Sequence, residues 1–185
     1  VRCHHEFPGC SAAPDGWQTV RVSSTALDTS VYLDRLARVR TAMADQQVDA
    51  VMLSVGHDLP YMTGYTAMPL ERLTMLVVQR EGDPTLLIPG LEAARVEPQP
   101  GVFDLLPWSE TEDPTAIVGR LASGAKRIAV GDQMWSRFLV ELLPHLPNAQ
   151  FTRAVDVVGP LRMSKDRAEL DALAAAGAAV DKIAG

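Results

Sequence analysis

The sequence predicts an α/β domain in which helices flank a mixed β-sheet, with a further helix at the C-terminus. Two observations lead to this fold class. Short apolar runs typical of covered strands alternate with segments in which apolar residues recur every three or four positions, as on one face of a helix. In addition, the turn sequence 81–84 (EGDP) separates two strand-like runs at 73–79 and 85–88, which predicts a hairpin within the alternating order.

Regular structure is predicted to begin near Ser30. Thr29 or Ser30 can cap the first helix, and Asp34 falls in its first turn, where the helix dipole favours an acid. Apolar side chains at helical spacing predict its buried stripe: Tyr32, Leu36, Val39 and Met43. The short apolar run from Ala50 to Ser54 is then predicted to be a buried strand.

Proline and capping residues place the remaining elements. We expect an edge strand at Val102 to Trp108, because Pro107 cannot donate to a sheet ladder. Asp113 and Pro114 predict the cap and first residue of a helix that reaches Ser123. The last predicted elements of the domain are a strand at 127–130, a helix at about 135–143 and a strand at 151–154.

The C-terminal helix is predicted to start at Ser164 as its cap, with Asp166 and Glu169 near its positive end. Its apolar side chains fall on one face: Leu170, Leu173, Gly177, Val180 and Ile183. A face of this kind needs a partner surface, and we expect it to pair with another copy or to associate loosely. The predicted divisions are a poorly ordered leader at 1–28, a domain at 29–160 that ends in a Gly159-Pro160 joint, and this helix at 161–185.

Composition excludes several function classes. The net charge of −6 argues against nucleic acid as a main partner, because phosphate binding needs clustered Lys and Arg. No apolar run reaches the roughly 18–20 residues of a membrane span, and Val1 to Thr25 lacks the apolar core of a signal peptide. We therefore expect a cytoplasmic protein with neither nucleic acid nor membrane as a partner.

The N-terminal leader contains four residues that could bind zinc: Cys3, His4, His5 and Cys10. Thiolate and imidazole are good zinc ligands, so a zinc site is one interpretation. The other is an unstructured leader, which we favour because structural zinc sites usually place a second pair of ligands across a small fold.

Two motifs, separated by about a hundred residues, resemble those of one family. The first is Tyr61-Met62-Thr63-Gly64-Tyr65, and the second runs from Leu161 to Leu170 as LRMSKDRAEL. In this order they resemble the N-terminal part of the creatinase/prolidase/aminopeptidase P family of pita-bread metallopeptidases. The resemblance implies the ribonuclease H-like fold of the creatinase N-terminal domain. One departure is Gln47, where relatives usually have Gly between the first helix and the first strand.

In that family the second motif leads into a metal-binding catalytic domain, and this sequence ends soon after the motif. The resemblance therefore implies a chain truncated before the catalytic domain, with no catalytic or metal-binding residue of its own. A dinuclear site for Mn, Co or Zn would belong to the missing domain. The complete enzyme would act on a proline-containing peptide or a small amide.

Four residues are predicted to contact substrate in the complete enzyme: His57, Tyr61, Tyr65 and Arg72. They lie in or just after the loop that follows the first strand, where α/β sheets often bind ligands. The Arg72 guanidinium suits a substrate carboxylate. The structural alternatives are that Tyr61 and Met62 belong to the core, that Gly64 serves a turn with positive φ, and that Arg72 forms a surface pair with Glu71.

Three functions remain open. The first is a non-catalytic N-terminal domain of an Xaa-Pro dipeptidase-like or aminopeptidase P-like metallohydrolase, inactive alone, that shapes substrate access and oligomer contacts. The second is a stand-alone binding or assembly module that pairs with another copy or with the catalytic domain of a relative. The third, an unrelated α/β ligand binder, would require a pocket closed on all sides by residues of this chain.

Overall fold

The computed structural model describes residues 28–97 and 99–184. Its strands are β1 (Ala50–Leu53), β2 (Met75–Gln79), β3 (Thr85–Pro89), β4 (Asp104–Trp108), β5 (Arg127–Val130) and β6 (Gln150–Arg153). Its helices are α1 (Thr29–Asp45), α2 (Asp58–Thr63), α3 (Gly90–Ala93), α4 (Pro114–Leu121), α5 (Ser136–Leu142), α6 (Val155–Met163) and α7 (Arg167–Ala184), with a short 3₁₀ helix at Leu143–His145. The leader before Asp28, with its Cys and His residues, lies outside the described residues.

The strands form one six-stranded mixed sheet in the order β4-β3-β2-β1-β5-β6. The predicted hairpin is confirmed, because β2 and β3 pair antiparallel, as do β1 and β2. The pairs β1–β5, β5–β6 and β3–β4 are parallel. The strand that contains Pro107 lies at the edge of the sheet, as predicted.

Each face of the sheet carries its own apolar cluster. Side chains of β1 alternate between them, since successive residues of a strand point to opposite faces: Val51 and Leu53 lie in the cluster covered by α1, α2 and α6, and Ala50 and Met52 in the cluster covered by α4 and α5. The predicted stripe of α1 is confirmed, because Tyr32, Leu36, Val39 and Met43 are all buried. The predicted α/β fold with helices on both sides of a mixed sheet is therefore correct.

Of the three predicted helix caps, the one at α4 is correct and those at α1 and α7 are wrong. Asp28, rather than Thr29 or Ser30, caps α1, and its carboxylate accepts a hydrogen bond from the Ser30 amide at 3.3 Å. The prediction failed because all three residues are good caps and only the backbone conformation distinguishes them. The predicted cap of α4 is confirmed, since the Asp113 carboxylate accepts from the Thr115 and Ala116 amides.

Ser164 is not the cap of the C-terminal helix. It ends α6 with extended backbone angles, φ −86° and ψ 110°. Asp166 and Glu169 instead form a reciprocal capping box at the start of α7: the Glu169 amide donates to the Asp166 carboxylate at 2.8 Å, and the Asp166 amide donates to the Glu169 carboxylate at 3.0 Å.

Gly159 and Pro160 are not a joint between elements, because both lie within α6. A proline in a helix leaves the carbonyl four residues earlier without its usual amide donor. Here that carbonyl belongs to Asp156, and it accepts a hydrogen bond from the Gln46 side chain at 2.8 Å. A side chain from the end of α1 therefore replaces the missing backbone bond, and the helix continues to Met163.

Gln47 is the one non-glycine residue with positive φ (55°) among the described residues. It lies in the turn between α1 and β1, where its amide donates to the Ala44 carbonyl. Because a side chain is disfavoured in this conformation, Gln47 carries a local backbone strain that glycine would not.

We expect Gln47→Gly to raise the free energy of unfolding by about 0.5–1 kcal/mol. Glycine relieves the backbone strain, and the greater conformational freedom that it gives the unfolded chain offsets part of this gain. Urea denaturation measures the change. Ala37→Gly, at an exposed position in the middle of α1, is the control and should destabilise by about 1 kcal/mol. Destabilisation by both substitutions would show that the conformation of Gln47 is not strained.

Candidate functional site

A cavity of about 150 Å³ opens beyond the carboxyl ends of the parallel strands β1 and β5. Loops at such positions commonly bind ligands in α/β folds. The polar residues that line it come from three segments of the chain: Ser54, His57, Asp58, Asp132, Gln133 and Arg162. Within the described residues, this cavity is the best candidate for a functional site.

Most of the charge in this cavity is already paired. An Arg162 Nη1 donates to Asp58 Oδ1 at 2.7 Å, and the Asp58 side chain is only 19% exposed. The Ser54 hydroxyl donates to the Thr74 carbonyl at 2.9 Å. His57 lies at the start of α2 with its side chain exposed, so it is the predicted contact residue that the cavity presents to solvent.

Tyr61 lies in the core rather than in the cavity. Its side chain is 8% exposed, and its hydroxyl donates to the Leu161 carbonyl at 3.5 Å. Burial raises the pKa of this phenol, against an opposing effect of the nearby Arg35 cation. Because Tyr61 belongs to the first motif and Leu161 opens the second, the hydroxyl joins the two motifs directly.

Arg35 makes a second connection between the motifs. It is a buried cation on α1, and one guanidinium nitrogen donates to the Tyr61 carbonyl at 2.8 Å. The other lies 3.4 Å from carboxylate oxygens of both Asp166 and Glu169. The guanidinium also stacks 4.1 Å from the centroid of the Tyr61 ring. This cluster holds the start of α7 against α1 and α2.

The pKa of Asp166 is lowered first by the hydrogen bond from the Glu169 amide and then by the charge of Arg35. Both causes stabilise the ionised carboxylate. Asp166 is therefore charged at neutral pH, as its pairing with a buried cation requires.

Tyr65 faces a different element. Its hydroxyl donates to Glu92 Oε2 on α3 at 3.4 Å, and Glu92 is a buried carboxylate. Burial, followed by the negative charge of Glu92, raises the pKa of the phenol. Tyr65 thus helps to satisfy a buried acid and does not reach the cavity lined by His57.

Arg72 lies on the side of the sheet covered by α4 and α5, in a groove with Trp108 and Phe138. Its guanidinium contacts two carboxylates, Glu110 at 2.6 Å and Glu71 at 3.1 Å. The structural alternative, a surface pair with Glu71, is therefore present. The four predicted contact residues occupy four different environments and do not form one site.

The resemblance places the dinuclear metal site in a catalytic domain outside this sequence, so no metal ligand is expected among the described residues. Across 28–97 and 99–184, no three His, Cys, Asp or Glu side chains converge as metal ligands would. The acids near the cavity pair with arginines instead: Asp58 with Arg162, and Asp132 with Arg153.

No helix in the described part of the chain is both long enough and apolar enough to span a membrane.

The sequence and the fold match a known domain. The sequence profile of the creatinase/prolidase N-terminal domain matches residues 35–164. The chain belongs to this family. A probable dipeptidase PepE from Mycobacterium tuberculosis is 34% identical over 166 residues, which cover 88% of this chain and 44% of the relative. The chain thus spans less than half the length of this curated relative.

Solved structures agree on the fold. The dipeptidase PepE from Mycobacterium ulcerans superposes with a TM-score of 0.73 at 35% identity, over 85% of this chain and 43% of that one. The creatinase/prolidase N-terminal domain of an X-PRO dipeptidase from Streptococcus pyogenes superposes with a TM-score of 0.58 at 23% identity, over 65% of this chain and 98% of that one. At that identity, the second likeness shows the fold alone.

Sequence reasoning missed two residues that organise this region, Arg35 and Glu92. Arg35 had a recognisable signal, because it lies three residues after Tyr32 and four before Val39 and so falls on the apolar stripe of α1. A charged residue on a buried stripe predicts a partner of opposite charge. Glu92 had no such signal, since α3 is too short to show a periodic pattern.

Gly64 ends α2 in a left-handed conformation with φ 72°, as the sequence predicted. A Cβ at this position would lie 2.5 Å from the hydroxyl oxygen of the buried Tyr32. The first motif therefore requires glycine here both for conformation and for space.

We expect Gly64→Ala to cost more stability than Gly82→Ala, measured by urea denaturation. Gly82 has a similar φ of 78°, with nothing within 4 Å of the added methyl group, so its substitution should cost only about 1–2 kcal/mol of conformational strain. The extra loss at Gly64 reports the contact with Tyr32. Equal losses would contradict the close approach of these two residues.

Proposed function

We propose that this chain is the non-catalytic N-terminal domain of an Xaa-Pro dipeptidase-type metallohydrolase and that it shapes access of substrate to a catalytic domain. The observation that carries the proposal is the family match over 35–164, together with 34% identity to a probable dipeptidase of which the chain spans 44%. The substrate class is that named for the X-PRO dipeptidase whose N-terminal domain shares this fold.

The coupling of the two motifs supports this role. Arg162, near the end of α6, pairs with Asp58 at the start of α2, and both line the cavity next to His57. The cavity is therefore held beside the point where the chain leaves the domain for α7. In a two-domain enzyme, this arrangement would place the loop at 54–58 next to the catalytic domain.

Among the four predicted contact residues, His57 is the one we assign to substrate access. Its side chain is exposed at the cavity. Tyr61 and Tyr65 instead hold Arg35 and Glu92 in place. Arg72 would have to leave both Glu71 and Glu110 before it could bind a substrate carboxylate.

A second candidate is an assembly module, which the exposed apolar stripe of α7 favours. Leu170, Leu173 and Val180 are 51%, 57% and 62% exposed, and Ile183 is 87% exposed. Each large apolar side chain left in water forgoes roughly 1.5–3 kcal/mol of burial free energy. A partner surface, from a catalytic domain or another copy, would recover part of it.

The test is a chimera in which residues 28–170 of this chain, which keep all of α1 and the partners of Arg35, replace the equivalent part of Mycobacterium ulcerans PepE. Hydrolysis of an Xaa-Pro dipeptide and of the tripeptide extended by one residue is measured with added Mn²⁺. The chimera and intact PepE should prefer the dipeptide, and the PepE catalytic domain alone should lose this preference. The same ratio in all three proteins would contradict a role in access.

Within the chimera, His57→Ala should change the dipeptide to tripeptide ratio, because its side chain faces the proposed substrate path. Arg72→Ala is the matched control and should leave the ratio unchanged, because its guanidinium is held by Glu71 and Glu110. If Arg72→Ala changed the ratio more than His57→Ala, the assignment of the access role to His57 would be wrong. Turnover by this chain alone would overturn the proposed non-catalytic role.

A further inference from the structure

We propose that Arg35, Asp166 and Glu169 form a latch that sets the direction of α7 and that Ser164-Lys165 is the hinge it controls. The inference concerns the conformation of this chain. It stands whether or not the proposed dipeptidase function is correct.

The hinge lies between two anchored segments. On one side, the end of α6 is fixed by the ion pair of Arg162 with Asp58 at 2.7 Å. On the other, the first turn of α7 is held through Asp166 and Glu169. Ser164, between them, has the extended backbone that interrupts the helix. The relative direction of α6 and α7 therefore depends on a few backbone angles at this break.

The cationic side of the latch is rigid. The Arg35 side chain is only 5% exposed, donates to the Tyr61 carbonyl and stacks on the Tyr61 ring. The carboxylates are more accessible, with side-chain exposures of 41% for Asp166 and 27% for Glu169. Their 3.4 Å separations from Arg35 exceed the roughly 2.7–2.9 Å of a tight charge-assisted hydrogen bond. The carboxylates are thus the side that can move away.

Burial along the rest of α7 does little to hold its direction. The large apolar side chains from Leu170 to Ile183 are more than half exposed. Within the described residues, packing of these side chains therefore adds little to the ion pairs of the first turn. Loss of the latch should free the helix to swing about the hinge while leaving the domain folded.

The test uses the double substitution Asp166→Asn with Glu169→Gln. It removes both negative charges but keeps the capping box, because asparagine is a good N-cap and glutamine serves in place of glutamate. The control, Asp171→Asn with Asp181→Asn, removes the same charge from exposed positions on the same helix. Among the described residues, Asp171 pairs with Arg167, one turn earlier on the same helix.

Distances are measured by pulsed electron spin resonance between nitroxides at Ala44→Cys on α1 and Ala178→Cys on α7. The full chain is used, with Cys3→Ser and Cys10→Ser and an excess of unlabelled chain to suppress distances between copies. We expect one narrow distance distribution in the reference chain and in the control. In the latch variant, the distribution should broaden and its mean should shift.

An unchanged distribution in the latch variant would overturn the proposal. Equal broadening in the control would also overturn it, because the effect would then come from total charge. A broad distribution in the reference chain would overturn it as well, because α7 would then have no fixed direction to lose. Circular dichroism is recorded on each sample. Loss of helix content in the latch variant would show that the two carboxylates act only as caps, and would also overturn the latch.

Discussion

The buried guanidinium of Arg35 is the interaction on which the architecture around the candidate site depends. A charge removed from water must be paired and hydrogen bonded, or its burial is costly. Arg35 meets this requirement with the Tyr61 carbonyl and ring on one side and with Asp166 and Glu169 on the other. One nitrogen of its planar guanidinium donates to the Tyr61 carbonyl and the other faces both carboxylates, while the flat group stacks on the Tyr61 ring. The compact ammonium of a lysine has no plane to stack in this way. One side chain thereby joins α1, α2 and α7.

This constraint gives the two sequence motifs a common physical meaning. Tyr61, in the first motif, supplies a carbonyl and an aromatic face to Arg35, and its hydroxyl reaches Leu161 in the second. Asp58 and Arg162 form a parallel connection at the cavity. The two motifs therefore contact each other, and their contacts place the cavity next to the point where the chain passes from α6 to α7. That geometry is why we propose a role in access for a domain whose described residues show no metal-ligand set.

The fold could be predicted well because local patterns decide it. The stripe of α1, the hairpin of β2 and β3, and the proline at the edge strand β4 each follow from a few neighbouring residues. The site could not, because its contacts are long-range. Arg72 was a reasonable ligand for a carboxylate, but Glu110 reaches it from 38 residues away. The helix likewise continues through Pro160 because the Gln46 side chain donates to the Asp156 carbonyl, and these two residues are 110 positions apart.

The central claim, that Arg35 couples the domain to α7, is tested most directly by a double-mutant cycle of Arg35→Met and Glu169→Gln. Urea unfolding of the full chain gives the free energy of each variant. We predict a coupling free energy of about 0.5–3 kcal/mol between the two positions, and additivity in the same cycle with Asp171→Asn. Additive effects of Arg35→Met and Glu169→Gln, within about 0.3–0.5 kcal/mol, would contradict the account.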